Sequence, residues 1–515
     1  MITRLLIHFL KINFLLITVF YPFVIWGQTS TKTNNGKLIK INHATRLVYD
    51  KGLGIDAQRL IGDVECEHEG AIMRCDSAYL YSNKKLEAFG HISIIKGDSL
   101  FLYGDSLRYD AATKLAQIKG NVRCIEKEMT LTTNILYYDV GASVASYYDG
   151  GTIVNKENTI CSKNGHYYSS TKDVLFHQDV VLTNPDFKMK GDSIRYNTIN
   201  KTAYFLGPTI ITSKANYIYC ENGWYDTDQE ISRFSKNAVI VTKDQKLLGD
   251  SIYYDRKKGY GRAIKNVQII DTTNKSFIVG HFAEHYEKNN RAIVTDRAIY
   301  GKIVEKDTLF IAADTLFYNK PDSAHTYVKA YRHVKIFKKD LQGLCDSMGY
   351  SSHDSLMRLY NLPVLWTNNG QVTAKQINIT TGNNSNSIKY FELVNNAIVI
   401  QKVDSLDANK FNQIEGKRIE GFLNKDTIRK LNVIGNAQII YYVKEKKSYK
   451  GVNKTICSDL TVWFNKEGVD RTTFRTKPES TLYPLKEVND IEIRLKNFNW
   501  LEDKRPKTKN DILLR

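Results

Sequence analysis

Two copies of the letters Gly-Asp-Ser-Leu, at Gly97–Leu100 and Gly104–Leu107, place a serine beside an aspartate. A serine hydroxyl becomes a nucleophile when a histidine takes its proton and an acid holds that histidine in place. Asp322 and His325 supply an acid and a base in an Asp-x-x-His spacing. The residue types for ester hydrolysis are therefore all present in the chain.

The position of the serine argues against catalysis. Ser106 belongs to a sequence motif that recurs along the chain. It occupies the same position of that motif as Ser77, Ser193, Ser251 and Ser347. The serine esterases that carry these letters use an α/β sandwich, and this chain shows no helical periodicity. We therefore predict that the protein is not an enzyme and has no catalytic residues.

The cysteines and histidines do not predict a metal site. Four cysteines share a repeat position that elsewhere holds glycine, and Cys66 and Cys124 share one that elsewhere holds an apolar residue. Free cysteine fills either kind of position as a small apolar side chain. The eleven histidines lack metal-ligand spacing, and no glycine-rich phosphate loop follows a strand. We predict buried, reduced cysteines, no metal and no cofactor. The four cysteines are Cys75, Cys220, Cys345 and Cys457.

The recurring motif consists of a strand, a polar turn and a second strand, as in Gly191–Ile211. Equivalents of Tyr196 recur first at intervals of 29 residues and then of 32, with wider gaps near the end. A fixed period of this size indicates a stack of repeats, each in contact with its neighbours. Fourteen positions fit the slot: Tyr49, Leu80, Tyr109, Tyr138, Tyr167, Tyr196, Tyr225, Tyr254, Tyr286, Tyr318, Tyr350, Ile379, Gly421 and Val462.

Each repeat carries an apolar stripe on each of its two strands, because side chains alternate with a period of two. The second strand contributes a pair two residues apart, such as Val122 and Cys124 or Val364 and Trp366. A recurring aspartate (Asp76, Asp105, Asp192, Asp250, Asp314, Asp346) predicts a structural role at a turn or strand edge. We expect the stripes to line a groove, represented by Leu107, Tyr109, Val122, Leu136, Tyr138, Val180, Leu182, Ile194, Tyr196, Ile211, Ile240, Ile252, Tyr254, Val267, Ile269, Leu316 and Tyr318.

Composition favours strands throughout. Only 8 of the 515 residues are proline and 32 are tyrosine, and aromatic and β-branched residues suit a pleated sheet. The start of the chain differs, since Arg4 and Lys11 precede the apolar run Ile12–Trp26. This pattern predicts a secretory signal peptide cleaved between Gly27 and Gln28, with an uncleaved anchor as the alternative.

The repeated motif resembles the OstA-like (LptA-type) repeat of lipopolysaccharide transport. The opening and closing segments of the chain look like those of the long OstA-like proteins of Bacteroidetes. The residues that carry the match include Gly104–Asp110 with Gly120–Cys124, Gly191–Asn197, and Gly435–Ile440. The resemblance implies an elongated, open-ended β-jellyroll, or β-taco, in which two sheets meet along one edge and hold acyl chains between them. It covers about residues 38 to 475.

The resemblance also implies a role and partners. We expect a non-catalytic, periplasmic bridge that carries lipopolysaccharide or a similar anionic glycolipid, either free in the periplasm or attached to the outer membrane. It would join OstA-like domains of the inner-membrane complex and the outer-membrane translocon by end-to-end strand pairing. The formal charge of +18 suits an anionic head group or membrane surface. For an exported protein, the basic clusters are interpreted as solvated surface and not as nucleic-acid sites.

The alternative is a structural or adhesive β-solenoid of the cell envelope whose own side chains fill the core. In either case we expect four parts: a signal peptide at 1–27, about twelve repeats at 38–405, looser repeats at 406–490 and a basic tail at 491–515.

Overall fold

The computed structural model describes residues 39–49, 56–98, 100–126, 128–155, 158–214, 216–273, 275–304, 307–322, 325–382, 385–403, 409–424, 427–445, 448–465, 468–489 and 491–513. The predicted signal peptide lies outside these residues. The chain forms two compact units. Unit 1 comprises the residues up to Lys243 and Ser251–Lys258, and unit 2 comprises Asp244–Asp250 and Gly259–Arg515.

Nearly all of the described secondary structure in unit 1 is β-strand. Its strands are β1 (Lys40–His43), β2 (Arg46–Tyr49), β3 (Ala57–His68), β4 (Ala71–Tyr81), β5 (Lys85–Lys96), β6 (Leu100–Asp110), β7 (Leu115–Glu126), β8 (Met129–Asp139), β9 (Val144–Tyr147), β10 (Gly151–Asn155), β11 (Asn158–Ser162), β12 (Asn164–Tyr168), β13 (Asp173–Thr183), β14 (Phe187–Asn197), β15 (Thr202–Phe205), β16 (Thr209–Ser213), β17 (Asn216–Cys220), β18 (Asn222–Asp226) and β19 (Ile231–Thr242). Strand β20 (Gln245–Asp255) is divided between the units.

Unit 2 repeats the pattern. Its strands are β21 (Tyr260–Asp271), β22 (Ser276–Tyr286), β23 (Arg291–Val304), β24 (Asp307–Asn319), β25 (Tyr327–Lys338), β26 (Leu341–Ser351), β27 (Leu356–Tyr360), β28 (Val364–Thr367), β29 (Gly370–Thr373), β30 (Gln376–Gly382), β31 (Ser385–Lys402), β32 (Phe411–Asn424), β33 (Thr427–Glu445), β34 (Ser448–Phe464), β35 (Val469–Arg475) and β36 (Glu479–Pro484). The described helical elements are the 3₁₀ turns Glu287–Asn289, Leu485–Glu487 and Glu502–Lys504 and the short helix α1 (Asn510–Leu513). No helix in the described part of the chain is long and apolar enough to cross a membrane.

Successive strands pair antiparallel within each unit. In the β5–β6 pair, for example, Ile94 lies opposite Leu102 and Leu86 lies opposite Tyr109. Where a strand is interrupted, both halves keep the pairing, since β9 and β10 both pair with β8. Each repeat therefore adds two strands, which confirms the all-β, strand-turn-strand prediction.

A pair of consecutive left-handed residues bends every second long strand near its middle. At Gly120–Asn121 the φ angles are 77° and 46°, and the ladder to β8 skips from Lys119 to Val122. Glycine and asparagine tolerate positive φ better than most residues. The pairs within a strand are Gly62–Asp63, Gly90–His91, Gly120–Asn121, Gln178–Asp179, Lys236–Asn237, Lys265–Asn266, Asp296–Arg297, Arg332–His333, Asn395–Asn396 and Gly435–Asn436. Two further pairs at the corresponding place, Asn361–Leu362 and Thr476–Lys477, lie between β27 and β28 and between β35 and β36.

The recurring aspartate anchors this bend from the neighbouring strand. Asn121 Nδ2 donates to Asp105 Oδ2 over 2.9 Å. The same contact joins Asp76 to His91 (2.8 Å), Asp250 to Asn266 (3.1 Å), Asp314 to His333 (2.8 Å) and Asp346 to Asn361 (3.2 Å). The predicted structural role of the aspartate is confirmed at these five positions.

The predicted tyrosine slot forms one row across the inner face of unit 1. Large residues from one strand of each repeat alternate there with smaller ones from the other, as close packing requires. In order of pairing the row is Leu80, Leu86, Tyr109, Ala116, Tyr138, Ala145, Tyr167, Val174, Tyr196, Ala203, Tyr225 and Ser232.

In unit 2, the prediction of Tyr286 for the tyrosine slot is wrong. His285, not Tyr286, lies in the row, opposite Gly261 and Ala292, while Tyr286 pairs with Tyr260 and Arg291 on the other side. The turn after β22 contains the 3₁₀ segment Glu287–Asn289, and the intervals around His285 are 31 and 33 residues instead of two of 32. A regular count cannot detect that shift. The later slots are confirmed, and they are Tyr318, Tyr350, Ile379, Gly421 and Val462.

The prediction that Val364 and Trp366 form an inner pair is also wrong, by one residue. Leu365 lies in the inner row, opposite Gly343 and Val372. Buried Pro363, two residues before Leu365 and directly after the bend, takes the first position of the pair. Trp366 therefore faces the outer side of the sheet, where it is nevertheless fully buried.

The segment predicted as a basic tail explains that burial, because it packs against the outer face of unit 2. Phe498 and Trp500 contact Phe411, with ring centroids 5.2 and 5.1 Å away. Leu495 is 5% exposed and Ile512 is 1% exposed. We call residues 491–513 the strap; its lysines remain exposed.

Three glutamines on the outer face bind the strap. Gln413 Oε1 accepts from the Leu495 amide over 2.8 Å. Gln371 accepts from the Leu501 amide (2.8 Å) and donates to the Asn499 carbonyl (2.6 Å). Gln342 Oε1 accepts from Arg505 Nε over 2.8 Å. These glutamines share one outer row, Gln342, Trp366, Gln371, Ile400 and Gln413, so the sheet presents hydrogen-bonding and apolar groups alternately.

We predict that Gln371→Ala lowers the free energy of unfolding by about 3 kcal/mol, because it removes the partner of the buried Trp366 indole N–H and of the partly buried hydrogen bonds to Asn499 and Leu501. Denaturant unfolding followed by tryptophan fluorescence measures the change. Gln268→Ala, at an exposed position of unit 2, is the matched control and should change it by less than about 0.5 kcal/mol. Equal effects of the two substitutions would contradict the proposed anchoring.

Candidate apolar cleft

The inner face of unit 1 carries a second row, entirely apolar, on the other side of the bend from the tyrosine row. It contains thirteen consecutive paired residues, most of them isoleucine, leucine or methionine. In order they are Cys66, Met73, Ile94, Leu102, Cys124, Leu131, Ile153, Ile160, Leu182, Met189, Ile211, Ile218 and Ile240.

The two rows face a shared core. One cluster of buried side chains joins Cys66 and Met73 from one side of the bend to Leu86 and Leu107 from the other. Each long strand therefore contributes to both walls, and the bend forms the closed edge between them. This is the arrangement that a jellyroll implies.

The residues predicted to line a groove all lie on the described inner face or its continuation in unit 2. Eleven are buried: Leu107, Val122, Leu136, Val180, Leu182, Ile194, Tyr196, Ile211, Ile252, Val267 and Leu316. Six are partly buried: Tyr109, Tyr138, Ile240, Tyr254, Ile269 and Tyr318. Their contact with a lipid stays a prediction.

Burial of the inner residues falls with distance from the bend. Next to it, Ile92 and Val122 are each 1% exposed. Two residues further on, Ile94 and Cys124 are only partly buried. The same difference separates Leu107 from Tyr109 on the other wall. Strands β5–β8 thus form an apolar cleft that is packed at its base and incompletely covered at its rim.

Further along unit 1, side chains of the protein fill the interior. Phe205 and Phe234 stack with their ring centroids 6.3 Å apart, and each is at most 3% exposed. Gly223 lies between them in the ladder. An added Cβ there would approach Phe205 to 3.1 Å and the Arg233 carbonyl to 2.5 Å, so glycine leaves room for the rings.

The serine that carries the Gly-Asp-Ser letters at Ser193 does contact a histidine. His177 Nδ1 lies 2.5 Å from Ser193 Oγ, which in turn donates to Asp192 Oδ2 over 2.9 Å. A hydroxyl has one proton, so His177 Nδ1 must donate to Ser193 and cannot act as its base. The aspartate holds the serine and not the imidazole, unlike a catalytic triad.

The other esterase candidates are not assembled either. Ser99 lies outside the described residues. Ser106 stands in a strand ladder of unit 1, opposite Phe89 and Lys119, whereas the His325–Asp322 pair belongs to unit 2, joined over 2.6 Å. Each contact has a place in the repeat or in a turn, and the absence of an enzymatic activity stays a prediction.

The seven cysteines are free thiols, five of them buried and Cys124 and Cys161 partly buried. Cys66 and Cys124 lie in the apolar inner row, as predicted. Burial raises the pKa of Cys75, Cys220 and Cys345 to about 12. Among the described residues, no group of three histidine, cysteine or acidic side chains could hold a metal ion. The absence of a metal stays a prediction.

A surface depression of about 680 Å³ lies at the bend of β7, β8, β10 and β11. Arg123, Lys163 and Asp179 line it together with several threonine and asparagine side chains. Its polar lining does not suit acyl chains. No sequence pattern predicts this depression, because it arises from strands that are interrupted near the bend.

Comparison with known proteins finds one family. The model of the OstA-like protein family matches residues 36–192. Among solved structures, the chain is similar to LptH of Pseudomonas aeruginosa, described as the LptA-homologous periplasmic component of the lipopolysaccharide transport device. The identity is 16%, the match covers 20% of this chain and 79% of LptH, and the TM-score is 0.19. No curated protein matches.

We predict that Gly120→Ala destabilises the protein by about 2 to 4 kcal/mol, since it combines a strained positive φ with a steric clash. The added Cβ would lie 2.2 Å from Asp105 Oδ2. Gly70→Ala is the matched control, because its φ is also 77° but nothing lies within 4 Å. Denaturant unfolding of both variants separates strain from clash, and equal losses would rule out the clash.

We also predict that Cys75, Cys220 and Cys345 resist iodoacetamide at pH 8 in the native protein. Their raised pKa keeps the thiols protonated, and the thiolate is the reactive form. Mass spectrometry of the alkylated peptides measures the modification. In guanidinium chloride all seven cysteines should react. Modification of these three at the same rate in both conditions would show that they are accessible.

Proposed function

We propose, for a chain that belongs to the OstA-like family over residues 36–192, that the apolar cleft holds the acyl chains of lipopolysaccharide or a similar anionic glycolipid. The protein would pass this lipid between the inner and outer membranes without making or breaking bonds. The proposal needs no cofactor and no catalytic residue.

The observation that carries the proposal is the incomplete cover of the inner rows. Monomeric proteins rarely leave a long contiguous apolar surface uncovered unless it binds something. In strands β5–β8, Ile94, Leu102 and Leu131 on one wall and Tyr109 and Tyr138 on the other are all partly exposed. An acyl chain would remove this apolar area from water, at about 25 cal/mol per Å².

The proposed partners follow from the exposed edge strand of unit 1. Leu47 and Tyr49 on β2 are 53% and 50% exposed, although they stand in register with the buried face through their pairing to β3. An exposed strand with unpaired backbone groups can take on a strand of another protein. We propose that OstA-like domains of the inner-membrane complex or the outer-membrane translocon pair there, in the periplasm.

A scaffold with a self-filled core is the second candidate, and Phe205 and Phe234 favour it. Where these rings stack, the interior leaves no partly exposed tyrosine, since Tyr196 and Tyr225 are 8% and 2% exposed. The two candidates therefore predict different contact with lipid at β5–β8, where the rim is open. Near Phe205 both predict a core that the protein's own side chains fill.

We predict that a photoreactive benzoylphenylalanine at Tyr109 crosslinks to lipopolysaccharide, because this side chain points into the cleft. The same residue at Arg108, one position away on the outer face, is the matched control and should give no lipid adduct. Gel mobility and mass spectrometry of the irradiated protein detect the product. A crosslink at neither position would favour the self-filled scaffold, and equal crosslinks at both would contradict specific binding in the cleft.

A further inference from the structure

A row of aromatic and basic side chains runs along the outer face of unit 1. We define the outer row by eight residues on adjacent strands. In order of pairing they are Tyr137, Ser146, His166, Leu175, Arg195, Tyr204, Trp224 and Arg233.

The two arginines of this row have no carboxylate partner among the described residues. The Arg195 guanidinium lies 4.3 Å from the centre of the Tyr204 ring, and its Nε is buried without a hydrogen-bond partner. Arg233 Nε donates to Ser251 Oγ over 3.0 Å. Neither arginine forms an ion pair with a residue that the structure describes.

Other outward-facing arginines are neutralised by ion pairs. Arg108 belongs to the continuation of this row in β6, and its Nε lies 3.0 Å from Glu87 Oε1 on the adjacent strand. In unit 2, Arg418 contacts both Glu392 (2.6 Å) and Glu420 (2.8 Å). The outer row itself contains no carboxylate.

Carboxylates do lie nearby, at the hairpin ends of the same strands, but they are engaged. Asp139 accepts from the Ala142 amide and Asp226 from the amides of Asp228 and Gln229. Asp173 accepts from Asn197. Their hydrogen bonds hold these carboxylates at the turns, and the centre of the face contains the two arginines and no carboxylate.

The aromatic side chains form flat surfaces between the charges. Tyr204 and Trp224 lie side by side between Arg195 and Arg233. At the other end, Tyr148 is 47% exposed and packs edge-on against Tyr137 and His166, with centroids 5.5 and 5.4 Å away. His166 Nδ1 is bonded to Ser146 Oγ over 2.9 Å.

We propose that the outer row binds an anionic glycan chain lying across the strands. The apolar faces of sugar rings pack on aromatic rings, and a guanidinium binds a carboxylate in a bidentate geometry. The row crosses eight strands, or about 34 Å at about 4.8 Å per strand, which is long enough for a chain of several sugars. The sheet separates this surface from the cleft, so the inference does not depend on lipid binding.

A single-stranded nucleic acid could use the same groups, because bases stack on aromatic side chains and phosphates pair with arginine. The predicted signal peptide favours the glycan, since an exported protein meets glycans of the cell envelope. The experiment therefore includes an oligonucleotide.

Isothermal titration of the full chain with oligogalacturonate tests the proposal, with neutral dextran and oligothymidylate as comparison ligands. Trp224→Ala and Arg195→Gln should each weaken oligogalacturonate binding by about five- to tenfold, the loss expected at a central contact. Arg108→Gln, at the ion-paired position, should leave it unchanged. Unfolding midpoints within the range of the parent protein show that the variants are folded.

Three results would overturn the proposal. One is undetectable binding of oligogalacturonate, and another is equal binding by all three variants. The third is tighter binding of dextran or oligothymidylate than of oligogalacturonate. Because Trp224 and Arg195 face away from the cleft, a failed lipid crosslink at Tyr109 would leave this test unaffected.

Discussion

The bend of two left-handed residues is the constraint on which the rest of the structure depends. It costs conformational energy at residues such as Asn121 and His91, since side chains with a Cβ rarely adopt positive φ. Aspartates on the adjacent strand offset this cost by hydrogen bonding to the bend. Because the bend recurs at the same place in most of the described repeats, one strand serves both walls, and two apolar rows face each other across a closed edge.

The depth of the cleft follows from the same geometry. Close to the bend the walls are near each other, and small partners complete the packing, as Gly104 does opposite Ile92. An added Cβ at Gly104 would lie 2.4 Å from the Ile118 side chain. Further away the walls no longer cover each other fully, and Tyr109 and Leu102 remain partly exposed. The same two walls therefore provide a stable core near the bend and a candidate binding surface further from it.

Much of this architecture could be predicted from the sequence, because the period of the tyrosine slot and the alternation of apolar residues are properties of the chain itself. The alternating row from Leu80 to Ser232 follows directly from that period. A constant repeat interval predicts Tyr286 for the slot, but a turn of different length places His285 there instead. Burial lowers the pKa of His285, in keeping with its inner position. The strap was not foreseen, because its contacts join Gln371 and Gln413 to residues more than 80 positions away, and polar side chains give no periodic signal of their partners.

The strap has a consequence for the order in which unit 2 can reach its final state. Gln371 and Gln413 leave the ribosome before Leu495 and Leu501, and proteins are synthesised at about 5 to 20 residues per second. Each repeat of unit 1 can pair with the preceding repeat as soon as it is complete. Unit 2 instead holds Trp366, Ile398 and Ile400 on an uncovered face until the later segment arrives. During that interval, the outer face of unit 2 exposes these apolar side chains to water.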